Sequence, residues 1–185
     1  VGKSSLTNAI LGTERVIVSD VAGTTRDAID TPFVRDGRNY VVIDTAGIRK
    51  QGKIYENAEK YSLLRAMKAI ERSAITLIVL DGTKDIEEQD KRIAGYPVDA
   101  NKACVIVVNK WDIVEKDGST MDAYRKKLMT DFSFMSFAPI IFISAKTGQR
   151  LDRLFELIKY VHTQNTMRIS TGKLNDILAE ATARV

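Results

Sequence analysis

Gly2, Lys3 and Ser4 stand at the head of a run with helical spacing, and each residue type has a mechanical use there. A glycine lets the backbone come close to an anion, a lysine ammonium reaches outer phosphate oxygens, and a serine hydroxyl can bind Mg²⁺. The free N–H groups of the helix start, where Val1 and Ser5 flank the trio, aim at the same anion. The pattern matches the closing half of G-x-x-x-x-G-K-[ST], a phosphate-binding loop. Standing alone, it is equally an ordinary helix start.

Its meaning comes from four stretches further along the chain. In Thr24-Thr25-Arg26-Asp27, a threonine can offer its hydroxyl to Mg²⁺ and its N–H to a terminal phosphate, so that the order of the surrounding loop depends on that phosphate. In Asp44-Thr45-Ala46-Gly47, Asp44 can hold Mg²⁺ through its water while Gly47 gives its N–H to the outermost phosphate. Asn109-Lys110-Trp111-Asp112 follows an apolar run and addresses the base. A carboxylate at Asp112 accepts two hydrogen bonds from the N1–H and exocyclic amine of guanine, a donor pair that adenine lacks; a base that leaves such an acid unpaired is rejected by about 10⁴–10⁵. Asn109 braces that loop and the Lys110 stem lies on the base. In Ser144-Ala145-Lys146, past the next β-like run, the Ala145 N–H can reach the guanine carbonyl and the Lys146 stem can cover the other face.

The elements that position these stretches follow from periodicity. Leu6, Ile10 and Leu11 recur at helical spacing before Gly12, which gives a short helix over Lys3–Leu11. Residues 16–30 show no sustained period and read as a long loop. Thr31–Arg35 and Arg38–Ile43 flank Asp36-Gly37, a pair suited to a two-residue hairpin turn. An amphipathic helix over Glu56–Glu71 follows. The chain then alternates: strand Ala74–Leu80, helix Glu87–Ala100, strand Ala103–Val108, helix Thr120–Phe134, strand Ile140–Ile143, helix Leu151–His162. Continuous apolar strands alternating with helices imply a mostly parallel sheet covered on both faces, with one antiparallel edge hairpin. A phosphate loop also needs a strand feeding into it, which is expected ahead of Val1. Thr163–Ser170 is polar, and Thr171–Arg184 forms a further amphipathic helix that either packs back or opens a second domain.

Composition sets bounds on this reading. With 44% hydrophobic residues the chain can bury a substantial core, and no apolar run approaches membrane-spanning length. Its single cysteine, Cys104, lies in an apolar run and reads as a core residue, compatible with a cytosolic home. The net charge of +4 fits an RNA partner only loosely, because the two signs are mixed along the chain.

Taken together, Gly2-Lys3-Ser4, Thr25, Asp44–Gly47, Asn109–Asp112 and Ser144–Lys146 resemble the ordered motif set of small GTP-binding domains of the P-loop NTPase class, the Ras-like G domains. Val1–Ser5, Gly23–Asp27, Asp44–Arg49 and Asn109–Asp112 resemble the translation-associated group that includes Era, the tRNA-modification GTPase and EngA/Der. Ile48-Arg49-Lys50-Gln51-Gly52-Lys53 and the tail Arg168–Val185 are most similar to the second GTPase domain of the EngA/Der family and its entry into a KH-like domain. The resemblance implies a GTP-binding domain over residues 1–165, then a linker and the first helix of a KH-like domain over 166–185. It also implies GTP hydrolysis coupled to assembly of the large ribosomal subunit, with bound GTP or GDP, Mg²⁺, and contacts to ribosomal RNA, a neighbouring G domain and the KH-like domain. A cytoplasmic location with no membrane partner is implied as well.

The residue after Gly47 shapes the expected chemistry. Ras-like enzymes place there a glutamine that orients the attacking water; here it is Ile48, whose side chain has no hydrogen-bonding group. Catalysis then falls to Mg²⁺, Lys3, Thr25 and the Gly47 backbone, or to a cation supplied from outside. Members of the resembled group use a potassium ion in that place, held partly by an asparagine that would precede Val1. Arg26 and Arg49 read as partner-facing cations, His162 as a surface residue and Trp111 as a packing residue. Ile48 keeps open a second reading, a nucleotide-stabilised module that docks RNA or a neighbouring domain with negligible hydrolysis. An ATP-dependent kinase-like fold would leave Asp112 unexplained.

Overall fold

The computed structural model of the chain describes residues 2–12, 16–18, 30–43, 58–115 and 117–183. In chain order these form α1 (Lys3–Leu11), β1 (Val16–Val18), β2 (Thr31–Arg35), β3 (Arg38–Val42), α2 (Ala58–Arg72), β4 (Ile75–Asp81), α3 (Glu88–Asp99), β5 (Ala103–Asn109), α4 (Thr120–Asp131), β6 (Ile140–Phe142), α5 (Leu151–Thr166) and α6 (Thr171–Ala183). Strands β4, β5 and β6 pair in parallel in that order, while β1, β2 and β3 form an antiparallel ladder.

β5 is the axis of the parallel sheet. Its run of β-branched residues is buried on both sides, so its side chains feed two cores in alternation. Val105 and Val107 join Leu6 and Ile10 of α1, Phe33 of β2 and Leu154 and Phe155 of α5. Cys104, Ile106 and Val108 join Ala94 of α3 and Leu128 of α4. Helices therefore cover both faces, as the apolar strands imply. Burial pushes the Cys104 thiol up to about 11, which suits a core residue rather than a reactive one.

Several boundaries differ from the sequence-based expectation, each for a local reason. The supposed loop over 16–30 contains β1, which pairs antiparallel with β2 from Val16↔Arg35 to Val18↔Phe33; three residues are too few to show a period. α5 runs past His162 to Thr166, because the hydroxyls of Thr163 and Thr166 donate back to the carbonyls of Lys159 and His162 at 3.0 and 2.9 Å. α4 ends early at Asp131 and passes into a 3-10 turn over Ser133–Met135. β4 and β5 each take in one more residue, the polar Asp81 and Asn109, which stand opposite one another.

The β2–β3 hairpin turns at Asp36 and Gly37, both with positive φ (50° and 71°), the geometry this residue pair was expected to supply. It is anchored to α5 by a buried arginine. Arg35 is 1% exposed, its guanidinium lies 4.0 Å from the centre of the Phe155 ring, and it pairs with Asp152. Lys159 reaches Asp36 at 3.5 Å, and Phe33 and Tyr40 stack beside Phe155. Arg35→Ala removes packing and the ring contact together and is expected to cost about 2–4 kcal/mol, whereas Arg35→Met, which keeps the length and removes the buried charge, costs less than about 1.5 kcal/mol. Denaturant unfolding of the two variants checks this; equal losses would refute the anchoring role.

Candidate functional site

Parallel strands deliver their carboxyl ends to one edge, and the buried polar residues gather there. Asp81, Asn109 and Ser144 follow the apolar stretches of β4, β5 and β6, and with Arg35 they are the buried polar residues among those described. A polar group in such a place needs partners or it destabilises the fold. Each has them.

Asn109, 2% exposed, accepts the Ala145 N–H on its Oδ1 at 2.9 Å. Its Nδ2 faces the head of α1, where a Cβ built on Gly2 would come within 2.6 Å. Gly2 also has a φ of 82°, so both space and backbone conformation demand glycine. One side chain thus touches the start of the phosphate-loop helix and the Ser144–Lys146 loop. The ladder continues past the strands: Ile143 N–H donates to Val108 O at 2.8 Å, and Trp111 N–H to Ile143 O at 3.0 Å. Ser144 is fully buried and its Oγ accepts the Thr147 N–H at 3.1 Å, closing the loop that carries Ala145 and the exposed Lys146.

At the phosphate end, Lys3 and Ser5 are exposed and Ser4 is half-buried in the first turn of α1. Lys110 has a left-handed φ of 63° and turns the chain so that Asp112, half-buried, follows on the loop. Trp111 points away into the core at 1% exposure, against Phe142 at 4.4 Å and Tyr124 at 5.6 Å between ring centres, which is the packing role expected of it. His162 lies on the exposed face of α5, also as expected. The structure therefore brings together Gly2, Asn109 and Ala145, with Lys3, Ser4, Ser5, Lys110, Asp112, Ser144 and Lys146 as their immediate chain neighbours. Val1, Thr25, Asp44 and Gly47, along with Arg26, Ile48 and Arg49, lie outside the described residues.

Asp81 does not stand out in the sequence as a site residue. It looks like a turn acid in Asp81-Gly82-Thr83, and its only signal was a position at the end of an apolar run beside the Asn109 strand. Its carboxylate accepts the Lys110 ammonium at 2.5 Å and the Thr83 N–H and hydroxyl at 3.1 and 2.6 Å. Burial alone would raise its pKa, but the hydrogen bonds from Lys110 and Thr83 outweigh that and hold it at about 2, below the ordinary 3.8. A depressed carboxylate pKa contributes stability that is complete above the unfolded value and lost as pH falls toward the folded one. Unfolding free energy should therefore decline as pH drops from about 4 to about 2, with a shallower decline in Asp81→Asn; an unchanged acid limb in pH-dependent unfolding would contradict the assignment.

Comparison with known proteins bears on the family and the fold. GTPase Der from Geobacillus sp. (strain WCH70) and from Bacillus thuringiensis (strain Al Hakam) are each 58% identical over 183 residues, 99% of this chain and 42% of theirs. The chain thus spans less than half the length of these curated relatives. Among solved structures, an Aquifex aeolicus Era variant bound to GDP.AlF4⁻ aligns with a TM-score of 0.62 at 23% identity, covering 85% of this chain and 52% of that one. Era in complex with MgGDPNP and a segment of 16S ribosomal RNA aligns at 0.61 and 24%, with the same coverages. Likeness at that identity shows the Ras-like fold. A family model described as 50S ribosome-binding GTPase matches residues 1–110, well over half of the 185, and the chain belongs to that family.

Proposed function

We propose that this chain binds GTP and GDP, hydrolyses GTP, and serves as a nucleotide-dependent switch in assembly of the large ribosomal subunit. The observation that carries the reading is the meeting at Asn109 of the head of α1 and the Ser144–Lys146 loop at one sheet edge, which supports assigning phosphate binding to the first and base binding to the second. Asp112 accepts the N1–H and exocyclic amine of guanine. The Ala145 N–H, which donates to Asn109 Oδ1 here, turns to the base carbonyl when the base is bound, and the Lys110 and Lys146 stems flank the ring. Lys3, with the backbone of Val1, Gly2, Ser4 and Ser5, grips the phosphates at a helix N-terminus.

Mg²⁺ fits the donor set that is described. The Ser4 hydroxyl is a hard oxygen ligand of the kind that Mg²⁺ takes together with waters and phosphate oxygens, and Asp44 and Thr25 are the further donors we assign. The ion, when bound, offsets charge on the phosphates. Lys3, Thr25 and the Gly47 N–H stabilise the departing phosphate. With Ile48 in the place of a water-orienting glutamine, positive charge would have to come from another source, which we assign to a potassium ion.

The family description as a 50S ribosome-binding GTPase supports a ribosomal partner, and to it we add ribosomal RNA and a neighbouring G domain, for which the greater length of the Der relatives leaves room. Every described residue of α6 is exposed, Leu174, Ile177 and Leu178 among them, which suits a helix that opens a KH-like domain after residue 165. No helix among the described residues is long and apolar enough to cross a membrane, and we place the protein in the cytoplasm. Ile48 also favours the second reading, a nucleotide-stabilised docking module that hydrolyses negligibly.

Multiple-turnover phosphate release separates the two: sustained release in Mg²⁺ supports the GTPase, and binding without turnover supports the module. Rates higher in K⁺ than in Na⁺ are expected, and equal rates would remove the potassium proposal. Asp112→Asn should weaken GDP binding by about 10²-fold or more and improve relative binding of xanthine nucleotides. Unchanged guanine preference in a competition titration would refute the base assignment.

A further inference from the structure

Lys110 is constrained at both its backbone and its side chain. A non-glycine residue at φ 63° crowds its own Cβ against the backbone, and the conformation persists only where surroundings hold it. Those surroundings are the end of β4. Asp81 stands opposite Asn109 in the parallel register, and the next residue donates its N–H, from Gly82 to Asn109 O, at 2.9 Å. The two segments are so close that a Cβ on Gly82 would lie 3.0 Å from Asn109 O, 3.1 Å from Val108 Cγ1 and 3.2 Å from Trp111 Cε3.

Asp81 is aimed as well as placed. Thr83 engages its Oδ1 with both N–H and hydroxyl, which turns Oδ2 toward Lys110 Nζ. The Asp81 side chain is 5% exposed and that of Lys110 is 39% exposed, so a buried anion holds the tip of a chain whose stem stays accessible. A free lysine stem has many rotamers to lose when a ligand packs on it. Here that freedom is already removed before any ligand arrives, which is preorganisation of a binding surface.

We propose that Asp81 is a positioning residue for purine recognition, clamping the Lys110 ammonium so that the lysine stem lies ready against the base and the left-handed turn presents Asp112 to its edge. This rests on the guanine-binding reading above. Asp81 touches no nucleotide atom itself. It acts through Lys110, and Thr83 acts through Asp81.

The test uses GDP and ADP titrations of the parent chain, Asp81→Asn, Lys110→Met and the double variant, with emission of Trp111, the single tryptophan, as a check that the loop stays packed. Asp81→Asn keeps the shape and the Thr83 contacts but removes the charge. It should weaken GDP binding about ten- to a hundredfold, the worth of a charged hydrogen bond, and lower the preference for GDP over ADP. Because the effect passes through Lys110, the double variant should bind GDP no more weakly than Lys110→Met alone. If Asp81→Asn loses the Trp111 signal, Thr83→Ala takes its place, with a smaller loss of the same preference expected. Parental GDP affinity and preference in the Asp81 variant, or losses that simply add in the double variant, would overturn the clamp while leaving guanine binding intact. A parent chain that binds no guanine nucleotide would overturn both.

Discussion

A primary amide buried at the end of a strand has to place both its oxygen and its nitrogen against partners, and Asn109 does this between segments far apart in sequence. Its Oδ1 takes a backbone N–H from the loop after β6, its Nδ2 lies against the only residue type that fits at position 2, and its backbone carbonyl takes the N–H of Gly82. Loss of any partner would leave a polar group without water, so the amide specifies where the ends of β4, β5 and β6 sit relative to α1. The described residues that we assign to nucleotide binding, from Gly2 to Ser5, from Asn109 to Asp112 and from Ser144 to Lys146, adjoin that junction.

The rest of the sheet makes such a junction possible. β5 is apolar on both faces because α1 and α5 cover one side and α3 and α4 the other. A strand of that kind offers no room for polar side chains along its length, and they collect where it ends. The helices are pinned around this edge by charge pairs rather than by further core. Lys127 pairs with Asp85 in the loop after β4, and Lys91 of α3 reaches Asp131 of α4 at 3.0 Å. Pairs at or near the surface contribute little each, and their effect is to fix position more than stability.

Arg35 shows the opposite use of a buried polar residue. Its guanidinium sits on an aromatic ring with Asp152 and Asp36 as counter-charges, tying the hairpin to α5. Burying a charge gains little net stability compared with an apolar side chain of the same length. What it supplies is a defined seat for the hairpin that a purely apolar contact would leave free to slide.

Local chemistry was legible in the sequence where a residue type has a narrow use. The α1 bounds, the Asp36-Gly37 turn and the alternation of apolar strands with helices all come from spacing and from residues with few alternative roles. Pairing was not legible: β1 is too short to show a period, and the Thr163–Thr166 turn looked like a break because its hydroxyls satisfy the helix only once the helix exists. Nor was Asp81. An acid before a glycine looks like any turn until parallel register sets it opposite Asn109 and beside Lys110, and that proximity is a property of the folded sheet and of no stretch of the chain by itself.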